Sequence, residues 1–570
     1  MSLTMESALS EHKGGALPAS GTEPVRSPNL LVFRDERRRV HGLRQKSALL
    51  SAIRALSSNP PADQIVTPLI LAGEMECGVA DAGGDSIQHL QKVTDQLAEA
   101  LVQGREIHQE QLCGLLAQAA VPDELEISTA EGFAYYALHP LAFAEVWSLL
   151  GTLPQQLVVI GIRSIGTTLS AVAAAAARKH GASAVRTTVR PSGHPYNRQT
   201  SFSQDPLRLV KDGLRRNAGF LIVDEGPGLS GSSFLSVAEA LVRAGVSTAN
   251  IVLVCSHQPD LDALCAEDAP RRARGFRWVA APAIQQSVRH DGATFIGGGE
   301  WRRWLIPDET LWPAAWTNFE RPKYLADSGN GEKTLIKFLG LGPYGEQVRV
   351  REEQIAAAKF APLPRRENGG FAAYPWIFGR PLCSADLSRA VIERLAAYCA
   401  FRASAFAASL DNLRALEFMA QHNAREQGVA NPGISLRLER PVVADGQMHP
   451  HEWMMTANGE ILKTDSGIHG DDHFFPGITD IAWDLAGAMI EWRMNPAQCQ
   501  AFLDVYERLS GDSPGARTNG FLHAYSAFRC AWCAMAAHAL RGTDEQLRFE
   551  RESLQYRASL LRVEDVTSVF

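Results

Sequence analysis

The 570-residue chain has no surplus of positive charge: 56 Lys and Arg stand against 63 Asp and Glu, a formal net charge of −7. It therefore lacks the field that general binding to nucleic acid or to an anionic membrane requires. No apolar run approaches the roughly 18 residues of a membrane span. The first thirty residues mix Glu, Lys, Ser, Gly and Pro without the apolar segment of a signal peptide. A cytoplasmic location is expected, with neither nucleic acid nor membrane as partner. Cysteine is sparse and irregular, nine in all, which excludes a disulfide framework. Cys530 and Cys533 form a CxxC without a second pair, inside the Ala-rich helical pattern "AYSAFRCAWCAMAAHAL", and read as core packing. There is no internal repeat.

What is present is enough for large cores. With 45% hydrophobic and 21% charged residues, the chain has the composition of a globular protein of two to four domains. Residues 1–40 read as a disordered tail. From 41 to about 150 the apolar spacing is helical, as in "DSIQHLQKVTDQLAEALVQG". Then strand, turn and helix alternate through "QLVVIGIRSIGTTLSAV", "GFLIVDEGPGLSGSSFLSV" and "ANIVLVCSHQPD". That alternation predicts an α/β domain over 41–300 with a parallel sheet and its ligands at the carboxyl ends of the strands. After about 300 the texture becomes rich in Trp and Pro. A β-rich stretch, a helix near 346–360 and a mostly helical remainder broken by the hairpin "EWMMTANGEILKTD" predict a second, α+β domain over 301–570.

In "GFLIVDEGPGLSGSSFLSV" a buried strand stops at Asp224 and Glu225 and gives way to glycines and small hydroxyls ahead of a helix. Two carboxylates there can hold a ribose by its vicinal hydroxyls, directly or through a divalent ion. The loop offers backbone amides to a phosphate. This resembles the type I phosphoribosyltransferases, and with "RPSGHPYNR" it is most similar to their subgroup associated with tellurite-resistance clusters. The resemblance implies that Asp224 and Glu225 contact the ribose of 5-phosphoribosyl 1-diphosphate and that Ser230, Gly231, Ser232 and Ser233 hold its 5-phosphate. It also implies a diphosphate loop at Arg163, Ser164 and Gly166, and a mobile loop carrying Arg190, His194 and Arg198 over the leaving group. Mg²⁺ is the implied cofactor. Ser in place of Thr, Glu as the second acid and one extra residue before the loop depart from the family pattern. The specificity-setting hood is expected from 41–150 or 260–300.

The second half carries "KTLIKFLGLGPYGEQVRVREEQIAAAKF", a strand with a central Lys followed by a helix with acids. "GFAAYPWIFGRPL" and "TDIAWDLAGAMIEW" resemble the interlobe linker and a later helix of aminoglycoside and choline kinases. The resemblance implies a bilobal, protein-kinase-like fold with an N-lobe at about 320–375 and a C-lobe at about 380–570. It implies Lys337 on nucleotide phosphates, Glu353 or Glu352 as its ion-pair partner, and ATP or another nucleoside triphosphate as ligand. Counting back from the hairpin, the family's catalytic Asp falls on Gln447 and its metal-binding Asn on Glu452, while Asp465 keeps the metal position. The rival register on "HGDDHFFPG" leaves no room for the hairpin; Asp471, Asp472 and His473 are read as neighbouring polar residues. The expectation is a bifunctional enzyme: phosphoribosyl transfer to a nitrogenous small molecule, joined to phosphorylation of a small molecule, in a possible homo-oligomer. The alternative is a nucleotide or phosphoribosyl-diphosphate sensor or scaffold with a pseudokinase half.

Overall fold

The computed structural model describes residues 29–34, 37–84, 87–151, 153–228, 230–282, 292–327, 331–429 and 432–566. The tail expected over 1–40 lies outside the described residues as far as 28. Residues 29–34 pack against the C-terminal half: Val32 is fully buried, Phe33 stacks on Phe474 at 5.0 Å, and the Leu31 amide donates to Asn423 Oδ1 at 2.8 Å.

The chain then enters the first half through β1 (Arg37–His41), the helices α1 (Ala62–Asp81) and α2 (Ile87–Gln103), and β2 (Glu124–Ser128), antiparallel to β1. A single helical turn follows, α3 (Glu131–Ala134). Next come β3 (Gln156–Ile162), α4 (Ile165–Lys179) and β4 (Ser183–Val189). The unit is completed by β5 (Gly219–Val223), α5 (Ser232–Arg243), β6 (Ile251–Cys255) and β7 (Arg277–Ala280). These five later strands form one parallel sheet in the order β4-β3-β5-β6-β7. Every residue of β5 is buried, as a central parallel strand with both faces covered requires. The order reverses between β3 and β5, and a sheet of this type opens its ligand crevice at such a switch point, outside the carboxyl ends.

α4 is buried from Ile165 to Ala177. Its alanines let the sheet on one side and α1 and α2 on the other approach closely. Arg186 of β4 pins these layers together, donating to Glu76 of α1 at 2.8 and 2.9 Å and to Asp95 of α2 at 2.6 Å with its side chain fully buried.

The second half opens earlier than 320, with β8 (Thr294–Phe295). β9 (Lys323–Asp327), β10 (Lys333–Phe338), α6 (Pro343–Ala357), β11 (Arg365–Arg366) and β12 (Phe371–Pro375) follow. The strands make an antiparallel sheet in the order β11-β12-β10-β9-β8. Between β8 and β9 the aromatic segment 296–322 crosses to the last helix, α8 (Asp544–Val566), where Arg302 pairs with Glu545 at 2.7 Å. The expected hairpin forms as β13 (Trp453–Thr456) and β14 (Ile461–Lys463). Cys530 and Cys533 are buried and unbridged in α7 (Gly515–Ala539), as core residues should be.

One core runs through both halves. Leu69, Phe133 and Val172 belong to the same apolar cluster as Ile336, Phe338, Leu341 and Phe371.

Candidate functional site

The structure holds two constellations, on either side of α3. In the first, Asp224 and Glu225 stand at the carboxyl end of β5, and the loop after them leads into α5. Gly166 begins α4 directly beneath: a Cβ there would lie 2.6 Å from the Val223 carbonyl oxygen and 3.1 Å from Asp224 Oδ1, so only glycine lets the two loops close together. Ser164, at the turn before it, has φ 125° and ψ −129°, a conformation a side-chain-bearing residue adopts only under strain, and such strain gathers at functional loops.

Removal from water pushes the Asp224 carboxyl up to about 7 and the Glu225 carboxyl up to about 8, the latter also under repulsion from Glu131 and Asp224. Glu225 Oε2 accepts a hydrogen bond from the Gly132 amide of α3 at 2.9 Å. Acids crowded in this way and short of counter-cations fit a hard divalent ion such as Mg²⁺, which binds oxygen ligands.

The expected diphosphate and mobile loops meet. Arg163 donates to Asp81 Oδ1 at 3.1 Å, and Arg190 also pairs with Asp81 while donating to the Arg163 carbonyl at 2.8 Å. The loop from Arg190 to Arg198 closes as a small hairpin through Ser192 and Gln199. Its tip reaches the serine loop before α5, where Ser230 Oγ donates to the Pro195 carbonyl at 2.9 Å and Ser232 Oγ donates to the same oxygen. Arg198 donates to the Gly193 carbonyl at 2.8 Å, and His194 stays within the tip beside Tyr196. Gly231 takes φ 69° at the start of α5, with Ser233 in the first turn. Of the possible hood region, 283–291 lies outside the described residues.

The second constellation lines a cleft of about 250 Å³ between the antiparallel sheet and the helical remainder. Lys337 donates to Asp465 Oδ1 at 2.9 Å and lies 3.5 Å from Glu352. Of the two acids left open by the sequence, Glu353 is the one displaced: it pairs with half-buried Arg349 on the outer side of α6, whereas Glu352 is buried against the sheet. Lys323, absent from the sequence reading, donates to Asp465 Oδ2 at 2.7 Å and to Glu320 at 2.8 Å. The lysines hold the Asp465 carboxyl well below the usual carboxylate range in spite of its burial.

Glu452 and Asp465, expected as common metal ligands, belong to separate ion-pair groups. Glu452 gathers with Asp445 and His469 within metal-ligand spacing. Lys463 already occupies that cluster, 2.6 Å from Glu452 and 3.6 Å from Asp445. Carboxylates neutralised by a built-in ammonium are poor ligands for Mg²⁺, so the donor chemistry fits the ion better at the first constellation. Gln447 lines the cleft with no carboxylate in its place, and Asp472 and His473 line it nearby.

No family model and no curated protein matches the chain. Solved structures similar to part of it are small-molecule kinases. A choline kinase from Streptococcus pneumoniae is 13% identical over 42% of this chain and 89% of its own, with a TM-score of 0.30. A spectinomycin phosphotransferase in complex with ADP and spectinomycin is 13% identical over 43% and 89%, with a TM-score of 0.31. A macrolide 2'-phosphotransferase from Brachybacterium faecium is 16% identical over 41% and 88%, with a TM-score of 0.29. Among the described residues no helix is long and apolar enough to cross a membrane.

Proposed function

We propose that the chain is a two-site transferase: a phosphoribosyl-transfer site in the first half and a nucleotide-dependent phosphoryl-transfer site in the second. The first reading is carried by the meeting of Asp224, Glu225, the serine loop and Arg163 with Arg190 at the switch point of a parallel sheet. There the acidic pair would hold the ribose hydroxyls, the amides before α5 the 5-phosphate, and the two arginines the leaving diphosphate. Bound Mg²⁺ would supply further neutralisation of that leaving group. Transfer to a nitrogen nucleophile passes through an oxocarbenium-like state in which C1 gains positive charge as diphosphate departs; the arginines oppose the negative charge that grows there.

The second reading is supported by the Lys337 contacts with Glu352 and Asp465 at the back of the cleft, an arrangement that positions nucleotide phosphates in kinases. ATP or another nucleoside triphosphate is the proposed donor. One observation favours a different outcome here: Gln447 stands where the register puts the acid that orients an acceptor hydroxyl, and the neighbouring Glu452 is already paired with Lys463. On that reading the half binds nucleotide as a sensor or scaffold.

Calorimetric titration with 5-phosphoribosyl 1-diphosphate and Mg²⁺, beside the double variant Asp224→Asn/Glu225→Gln, tests the first site. Saturable Mg²⁺-dependent binding that the variant loses supports it, and equal behaviour of the two proteins rejects it. For the second site, ATP binding that Lys337→Met abolishes, with slow release of phosphate, separates a transferase from a silent nucleotide holder.

A further inference from the structure

The acids lining the second cleft are already spoken for. Glu320 pairs with Lys323, Asp465 with Lys323 and Lys337, Glu352 with Lys337, and Glu452 with Lys463. The one remaining, Asp472, is pushed up to about 6 by burial, and its Oδ1 accepts from the Phe474 amide at 2.9 Å. A polycationic acceptor would find no carboxylate free to meet it. Much of the rest of the wall is rings. Trp301 stacks on His451 at 5.8 Å and 20°, and His451 stacks on His449 at 5.1 Å and 14°, a column of parallel planes. Burial and the adjoining His449 hold His451 well below its usual pKa, hence neutral. Trp316 meets Phe319 and Trp532 edge-on at 4.7 and 5.5 Å. It is 6% exposed, and its Nε1 has no hydrogen-bond partner among the described residues.

The same wall adjoins the first site. α3 offers its Gly132 amide to Glu225, and Tyr135, within the same turn, lines the cleft. Tyr136 Oη lies 3.1 Å from His473 Nδ1. One helical turn is thus the partition between the two constellations.

We propose that the aromatic part of the cleft, walled by Trp301, Trp316, Phe319, Trp532 and Tyr135, is an acceptor pocket for a planar heterocycle carried on a ribose phosphate. Such a molecule is what a phosphoribosyl transfer to a nitrogenous ring would produce. The proposal rests on the two-site reading above and adds the substrate class of the second site. The ring continues the Trp301 stack beside Trp316, and its sugar hydroxyls face the Lys337 end. Atoms balance as in any kinase step: the acceptor oxygen bonds the terminal phosphorus of the nucleoside triphosphate as the bond to the bridging oxygen breaks, diphosphate nucleotide leaves, and the hydroxyl proton passes to solvent.

The test loads the full-length protein with a saturating non-hydrolysable ATP analogue and Mg²⁺. It then titrates inosine 5'-monophosphate, ribose 5-phosphate, choline and kanamycin, reading tryptophan fluorescence and heat. Inosine 5'-monophosphate should bind beside the analogue with quenching, and ribose 5-phosphate at least about tenfold more weakly, since it lacks the stacked ring. Trp316→Phe and Trp301→Ala, the second at a partly exposed position that does not hold the core, should each lose about tenfold for the heterocycle. Equal binding of inosine 5'-monophosphate and ribose 5-phosphate, indifference to both variants, or preference for choline or kanamycin overturns the proposal. If the analogue fails to bind while the heterocycle binds with the same Trp dependence, the pocket stands and the kinase reading falls. If neither binds, both fall.

Discussion

Lys323 and Lys337 stand directly opposite one another on β9 and β10, and both donate to the single carboxylate of Asp465. Like charges facing across a strand pair repel, so the acid is what allows both ammonium groups to sit 8% and 2% exposed. Asp465→Ala should therefore leave Lys323 with Glu320 alone and Lys337 with Glu352 alone, and lower stability by about 1.5–3 kcal/mol. Urea denaturation measures it, and a variant carrying Lys323→Met as well should recover part of the loss. A double that is no more stable than Asp465→Ala alone would argue against the shared clamp.

The acidic pair of the first half gives a pH signature. Free carboxyls titrate near 4, whereas in the fold Asp224 is raised to about 7 and Glu225 to about 8. Between these limits the folded protein holds protons that the unfolded chain has lost, so this pair makes stability fall as pH rises from about 4 to 8. Glu225→Gln should flatten that decline, raising Tm more at pH 8.5 than at pH 5. Binding of Mg²⁺ with 5-phosphoribosyl 1-diphosphate should release protons, and hence tighten as pH rises through 7–8 in the parent protein, and less steeply in the variant, which keeps Asp224. Calorimetry in buffers of different ionisation enthalpy reads the proton count.

Arg186 depends on Glu76 and Asp95 for its place in the core. Glu76→Ala leaves a buried guanidinium half-paired and should destabilise by about 3–5 kcal/mol, while the apolar pair Arg186→Met/Glu76→Leu should restore most of it. Chemical denaturation of the three proteins is sufficient.

Ser164→Gly should be neutral or stabilise by about 1 kcal/mol, because glycine enters the positive-φ region without the strain serine bears. Ser164→Val should destabilise by more than that. If the strain serves the diphosphate loop, the glycine variant gains Tm and loses affinity for 5-phosphoribosyl 1-diphosphate in the same preparation.

The first constellation is largely legible in sequence. A strand whose five residues are all apolar and that ends on two acids can hardly be an outer strand, and its partner loops lie within the two strand-helix units that precede it and the turn that follows. The second is legible in part. Glu352 rather than Glu353 follows from spacing: with Val348 and Ile355 it occupies one stripe of α6, whereas the next residue is turned by roughly 100°. Lys323 also left a signal, since in the strands on either side of "SGNG" it falls opposite Lys337. What no local pattern carries is the meeting of Lys323 with Asp465, separated by 142 positions. The insertion of α3 between the two sites, which depends on how separately patterned segments pack, is equally hidden.

The apolar cluster that joins Leu69 and Phe133 to Phe338 and Phe371 makes the protein one object rather than two beads on a string. Cutting the chain near residue 300 would expose a continuous hydrophobic face on each fragment, so neither piece inherits a finished surface. The two constellations are bound to appear, be degraded and be lost together, and a change that loosens one is felt as lowered persistence of the other.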